Sequence, residues 1–251
     1  MKPIAIQLYT VRDACAQDFP GTCKKIAEIG YKGVELAGLH GMTPAEARAM
    51  LDDLGLVVCS SHGAMPTAEN AGQIIDEAGA LGYRYHVSGF GPDQFKTLAD
   101  TKASAAAFKA AADALSGSDL QFGFHNHWWE FEAVGGLLPH DVLLDEAPGV
   151  FAELDVYWAA FGGADPVAQV RRKAKRVPLL HIKDGELVPG EHIHTAVGKG
   201  KLDMPAIIGA ADPNVLKWLI VELDACKTNM MQAVIDSYAY LTGEGLASGN
   251  K

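Results

Sequence analysis

The feature that most constrains this chain is an alternation repeated eight times: a short run of β-branched and aromatic residues, then a longer stretch with apolar positions at helical spacing. A strand that returns parallel to its predecessor needs a crossover of a dozen or more residues, usually a helix, so the alternation points to a parallel α/β sheet. Strands are expected at residues 4–10, 33–37, 57–62, 83–88, 121–127, 151–157, 178–183 and 218–223. Helices are expected between them, for example over 43–54, opened by Thr43-Pro44-Ala45-Glu46, and over the alanine-rich segment 103–115. Gly30, Gly55 and Gly82 each stand where a helix closes before the next strand.

Eight such units in 251 residues suit a closed (β/α)8 TIM barrel, with residues 1–251 as a single domain. An open Rossmann sheet is disfavoured, because no G-x-G-x-x-G follows the first strand. No Pro-, Gly- or Ser-rich linker divides the chain. Residues 245–251 read as a loose tail, and the long polar connection 184–201 as a lid or substrate loop.

Composition narrows the range of partners. With 49% hydrophobic and 21% charged residues the chain can bury a sizeable core, and its formal charge of −10 opposes nucleic acid, whose phosphates are held by Lys and Arg. No run of about 20 apolar residues exists to span a membrane. The opening MKPIAIQLYT enters an apolar run directly, without signal-peptide regions, so a cytoplasmic location is expected. Cys15, Cys23, Cys59 and Cys226 show no C-x-x-C spacing and read as buried or half-buried thiols.

In a barrel of this kind the working residues stand at the C-terminal ends of the strands. Four adjacent runs give way to an ionisable group there: Glu130 just past strand five, Asp155 on six, His181 on seven and Glu222 on eight. Three carboxylates and an imidazole suit one hard or borderline divalent ion, Mn²⁺, Mg²⁺, Co²⁺ or Zn²⁺. Singly, each acid could cap a helix or pair with a lysine, and His181 could be a satisfied core histidine. Four on adjacent strands argue for a site.

At these residues the sequence resembles the sugar phosphate isomerase/epimerase family of xylose isomerase-like TIM barrels, whose superfamily includes endonuclease-IV-like proteins. The resemblance runs through QLYTVRD from Gln7, GYKGVELAGL from Gly30, SSHG from Ser60, FHNHWWEFE from Phe124, ELDVYW from Glu153, PLLHIKD from Pro178, VGKGKLD from Val197 and VELD from Val221. It implies a metal held by Glu, Asp, His and Glu, which carries over to Glu130, Asp155, His181 and Glu222. Many members place the strand-five glutamate inside the strand, where this chain has His125. Glu130 must then reach back from the loop, Glu132 competes with it, and His125 or His127 could touch the metal.

The activity implied is isomerisation or epimerisation of a sugar through an enediolate, with Glu130 and Glu222 as the acid/base pair and Asp155 and His181 mainly fixing the ion. The alternative is a metal-dependent lyase, a dehydratase or an enzyme that eliminates the aglycone of a 3-keto-glycoside, in which His125 or His127 protonates the departing oxygen. Glu35, His62, His127, Trp158 and Lys183 are expected to contact substrate, together with Tyr9, Trp128 and Trp129. Trp129 and Trp158 read as wall rather than contact, and aromatic rims of this type also serve homo-oligomer contacts. VGKGKLD is weak evidence for phosphate and no arginine fork accompanies it, so the expected partner is an unphosphorylated sugar, keto-sugar, cyclitol or glycoside. A DNA-repair nuclease would need a basic groove, which the charge opposes. A noncatalytic sugar-binding barrel shares the fold and is separated from an enzyme by metal dependence.

Overall fold

A computed structural model describes residues 1–251. Eight strands form the barrel: β1 (Lys2–Gln7), β2 (Gly33–Leu36), β3 (Val57–His62), β4 (Tyr85–Ser88), β5 (Gln121–His125), β6 (Phe151–Asp155), β7 (Leu179–Ile182) and β8 (Trp218–Val221). Each pairs in parallel with its sequence neighbours, and β8 closes on β1 through Ile4 opposite Leu219, Ala5 opposite Ile220 and Ile6 opposite Val221. The closed α/β barrel expected from the alternation is therefore present.

Period-two alternation decides what fills the barrel. At its N-terminal end an apolar plug gathers Ala5, Cys59, Val87, Phe151, Leu179 and Ile220. Two residues further along the same strand faces stand Gln7, Glu153, His181 and Glu222, and two beyond those come Asp155, Lys183 and Asp224. The switch from apolar to ionisable happens within one inward step on β6, β7 and β8, so the polar mouth rests directly on a packed floor. A larger apolar cluster of 53 residues lies between barrel and helices. Phe108 is fully buried there, its ring 5.0 Å from Phe124 and 5.5 Å from Phe122.

Helix Pro44–Asp53 begins at Thr43, with the reciprocal Thr43–Glu46 capping box the sequence suggested. The alanine-rich helix starts earlier than expected, spanning Leu98–Ala114, because Thr97 and Asp100 form a second capping box. Gly30 closes its helix at φ +119°, where a Cβ would meet the Tyr238 hydroxyl at 2.4 Å. β6 stops at Asp155 because that side chain turns back to accept the Trp158 N–H and caps the helix Val156–Phe161. Cys15, Cys23 and Cys59 are buried free thiols and Cys226 is half-buried. No helix is long and apolar enough to cross a membrane.

One segment differs from expectation. The tail is not loose: Ala247 and Ser248 pair in parallel with Lys2 and Pro3, Ala247 is buried, and the Asn250 N–H donates to the Gly30 carbonyl. Two paired residues are too short a run to show a strand pattern in sequence. The connection after β7 is anchored at its base. Asp184 accepts backbone N–H groups from Gly185, Gly198, Gly200 and Leu202 at 2.9–3.2 Å, and Asp184–Gly185 pairs antiparallel with His194–Thr195.

Candidate active site

The polar mouth is organised around His181, which is fully buried. Its Nε2 lies 2.8 Å from Glu35 Oε1 and 3.2 Å from Glu153 Oε2, while Nδ1 lies 3.0 Å from Glu222 Oε2. Glu35 is itself positioned by donors from two neighbouring strands, Gln7 Nε2 at 2.7 Å and Ser60 Oγ at 2.6 Å. Glu153 Oε2 gathers three imidazoles: His62 Nε2 at 2.6 Å, His125 Nδ1 at 3.2 Å and His181 Nε2 at 3.2 Å. Beside this cluster the buried Lys183 ammonium touches Asp155 Oδ2 at 3.0 Å, Glu222 Oε2 at 2.8 Å and Asp224 Oδ2 at 2.6 Å, and stands 5.0 Å from the Trp158 ring centroid.

Electrostatics follow from burial set against opposite charge. Burial opposes an imidazolium at His62, but Glu35 and Glu153 outweigh it and push its pKa up to about 9. Burial likewise works against charge on His181 and Lys183, and surrounding carboxylates hold both well above their usual ranges. At Glu153 burial is overcome by His181 and His62, and at Glu222 by Lys183 and His181, so both sit well below the carboxylate range. Asp155 and Glu35 remain raised, with burial the largest cause at each. His127 is pushed down to about 2 by burial, reinforced by His125 and Lys183, and is neutral at ordinary pH.

Two overlapping sets of side chains have ligand atoms within 4.8 Å of one another: His125, Asp155, His181 and Glu222, and His62, His125, Glu153 and His181. Three of the four side chains expected to share an ion, Asp155, His181 and Glu222, thus come together, and the strand-five member is His125. Glu130 belongs to neither set. It lies on the turn Trp129–Phe131, where its carboxylate is fully buried and accepts the His127 N–H at 2.8 Å, and burial pushes its pKa up to about 8. The five-residue step from His125 to Glu130 carries it out of the barrel face instead of back into it. Glu132, the competing residue, is exposed.

The residues expected to touch substrate divide into two groups. His62 and His127 line a cavity of about 410 Å³ at the mouth, together with Gln7, Tyr9, Phe90, His125, Trp129, Glu222 and Asp224. Glu35, Lys183 and Trp158 are buried: Glu35 lies 3.3 Å from His62 of the cavity wall, Lys183 contacts Glu222 and Asp224 of that wall, and Trp158 packs against the Lys183 ammonium. Trp129 stacks on His127 with centroids 4.3 Å apart, while Tyr9 is 45% exposed and holds the Arg12 guanidinium over its ring. The central residue missed by reading strand ends is Glu153. The signal was present, since a carboxylate two residues before Asp155 must share its inward face. Asp224 follows Glu222 by the same rule.

Residues 23–241 match the family model of the xylose isomerase-like TIM barrel. Among solved structures, a sugar phosphate isomerase/epimerase from Parabacteroides distasonis ATCC 8503 is similar with a TM-score of 0.81 at 25% identity, over 98% of this chain and 96% of that one. A second from the same organism gives 0.82 at 24% identity, over 99% and 100%. An L-ribulose 3-epimerase gives 0.75 at 18% identity, over 98% and 95%, a likeness of fold alone. No curated protein matches the sequence. The family match spans most of the barrel and the strand order agrees with it: the chain belongs to the xylose isomerase-like TIM barrel family.

Proposed function

We propose that this protein is a divalent-metal-dependent isomerase or epimerase acting on an unphosphorylated sugar or keto-sugar at the C-terminal mouth of the barrel. The observation that carries the reading is the convergence of imidazole and carboxylate ligand atoms within 4.8 Å beside an open cavity. The donor set fits a divalent ion: Glu153 Oε1 is buried without a hydrogen-bond partner, and the imidazoles of His62, His125 and His181 group with this carboxylate. When bound, the ion supplies Lewis-acid stabilisation for the oxyanion that forms as a proton leaves the carbon beside a carbonyl.

The chain's own residues supply the proton transfer and the orientation. Glu222 lines the cavity and is assigned as the base by its position; Lys183 and His181 keep it ionised, and the same contacts lower its basicity. Glu130, expected as the second proton carrier, lies off the cavity wall, and Asp224, two residues beyond Glu222, takes that position in this proposal. His125 belongs to both candidate ligand sets and is assigned to the ion. Trp129, Phe90 and Tyr9 offer flat apolar faces to the C–H surface of a sugar.

Two observations favour a substrate without phosphate. None of the residues lining the cavity is Lys or Arg. The Gly198 and Gly200 amides, the backbone donors of VGKGKLD, are already given to Asp184 Oδ2 at 3.0 Å. The test is incubation with a panel of aldoses, ketoses and keto-sugars in deuterated water, read by NMR and mass. Isomerisation or epimerisation retains the molecular formula and places deuterium at the exchanged carbon, whereas elimination loses water or an aglycone. Turnover that survives complete metal removal, or is undiminished in Glu222→Gln, would sink the proposal.

A further inference from the structure

The two candidate ligand sets share His125 and His181 but differ in what already occupies them. In the first, Asp155 Oδ2 and Glu222 Oε2 already hold a cation, since the Lys183 ammonium stands 3.0 and 2.8 Å from them and is anchored from a third side by Asp224 at 2.6 Å. An ion bound between these carboxylates would have to displace a fully buried ammonium or sit beside it, and like charges a few Å apart in a low-dielectric interior repel strongly. In the second set no ammonium intervenes. Three imidazole nitrogens already converge on Glu153 Oε2 at 2.6–3.2 Å, and Glu153 Oε1 has no partner.

Building on the metal-dependent reading above, we propose that the ion is held by His62, His125, Glu153 and His181, and that Lys183 is the built-in cation of the neighbouring Asp155–Glu222–Asp224 cluster. The surrounding groups are arranged accordingly. With His181 Nε2 turned to the ion, its Nδ1–H donates to Glu222 Oε2 at 3.0 Å, the outer carboxylate contact that ligating histidines characteristically make. Glu35 Oε1, fixed by Gln7, lies 2.8 Å from His181 Nε2 and 3.3 Å from His62 Nε2, within reach as a further oxygen donor. His62 is the member with exposure, 26% of its side chain, and it opens the set to the cavity. Three imidazoles and one carboxylate favour a borderline ion, Zn²⁺ or Co²⁺, over Mg²⁺. Glu222 is then free of ligation and available as the base.

The test is metal binding by the full chain, stripped of ions and titrated with Zn²⁺ and with Co²⁺ by calorimetry. His62→Gln and Glu153→Gln are expected to weaken binding by more than about 100-fold, since loss of an outer partner alone typically costs 10- to 100-fold. Asp155→Asn is expected to stay within about 10-fold of the parent. X-ray absorption of the Zn²⁺-loaded parent gives a second readout that needs no variant to fold: three imidazoles support the proposal and two overturn it. Loss of binding in Asp155→Asn with retention in His62→Gln would overturn the ligand assignment while leaving a metal enzyme intact. A parent that binds neither ion in excess would remove the metal-dependent reading itself.

Discussion

Replacing Lys183 by Met isolates the charge at the centre of the site. Met keeps most of the apolar stem, so packing against Trp158 changes little while the ammonium is lost. The structure sets the scale: Lys183 is fully buried and contacts three carboxylates at 2.6, 2.8 and 3.0 Å. Removing one partner of a buried ionic cluster costs about 3–5 kcal/mol, because the remaining charges are left uncompensated. With a urea dependence near the upper end of the usual range, about 3 kcal/mol per M, the midpoint should fall by about 1–2 M. The pH dependence has a definite sign. Without the ammonium, which lowers the pKa of both, the buried carboxyls of Asp155 and Glu222 titrate higher in the folded state than in the unfolded chain, so the folded variant holds protons that the unfolded chain has released. Its stability therefore falls as pH rises above the unfolded carboxylate range, and the deficit is larger at pH 8 than at pH 5. Urea unfolding followed by far-UV circular dichroism at both pH values, in the presence of a chelator, measures this. A midpoint shift below about 0.3 M, or a deficit that does not shrink at pH 5, would refute the account of Lys183 as the cluster's essential cation.

Glu130→Gln is expected to stabilise the protein increasingly as pH rises. The parent carboxyl keeps its proton to about pH 8 when folded but loses it near 4.5 when unfolded, a penalty accumulating at about 1.4 kcal/mol per pH unit between those values. Thermal melts at pH 5 and pH 8 check it, and a constant gap between variant and parent would count against the burial argument. Phe108→Ala should cost about 3–5 kcal/mol, because a fully buried ring stacked among Phe90, Phe122 and Phe124 leaves a cavity that its neighbours cannot fill. Chemical unfolding measures it, and a loss under about 1 kcal/mol would indicate that the core collapses around the gap. Asp184→Ala removes the acceptor of four backbone N–H groups. Limited proteolysis should then cut between residues 186 and 201 many times faster, with the barrel itself spared; an unchanged cleavage rate would show that the clamp is redundant.

Much of the architecture was legible because β-branched runs and helical spacing report local structure, and eight repetitions leave few closed arrangements. The strand ends of β6, β7 and β8 were legible for a related reason: an apolar run interrupted by Asp155, His181 or Glu222 marks where the packed floor stops. What resisted reading was depth. Period-two spacing puts Glu153 on the inward face with Asp155, but only its pairing with His125 and Leu179 on the neighbouring strands brings it beneath three histidines. Lys183 was visible as a polar residue at a strand end, but its role depends on Asp155, Glu222 and Asp224 arriving from two other strands. Glu130 misled because its distance along the chain is short while the turn after β5 sends it away from the axis. The tail was unreadable for want of length, since Ala247 is buried by a neighbour more than two hundred residues away.

The Asp184 clamp separates the fate of the loop from that of the scaffold. One carboxylate gathers amides from both ends of the connection, so the base is closed whatever lies between. Doubling the length of a flexible loop whose ends are already fixed costs only about 0.6 kcal/mol. The outward-facing interval 186–193 can therefore vary in length or sequence while the eight strands keep their register, whereas His194, Ala196 and Val197 just beyond it are buried and belong to the scaffold. Edits there would reach the mouth of the barrel through the packing of His192 on Trp128, Trp158 and Phe161, since the interval contributes no residue to the cavity wall.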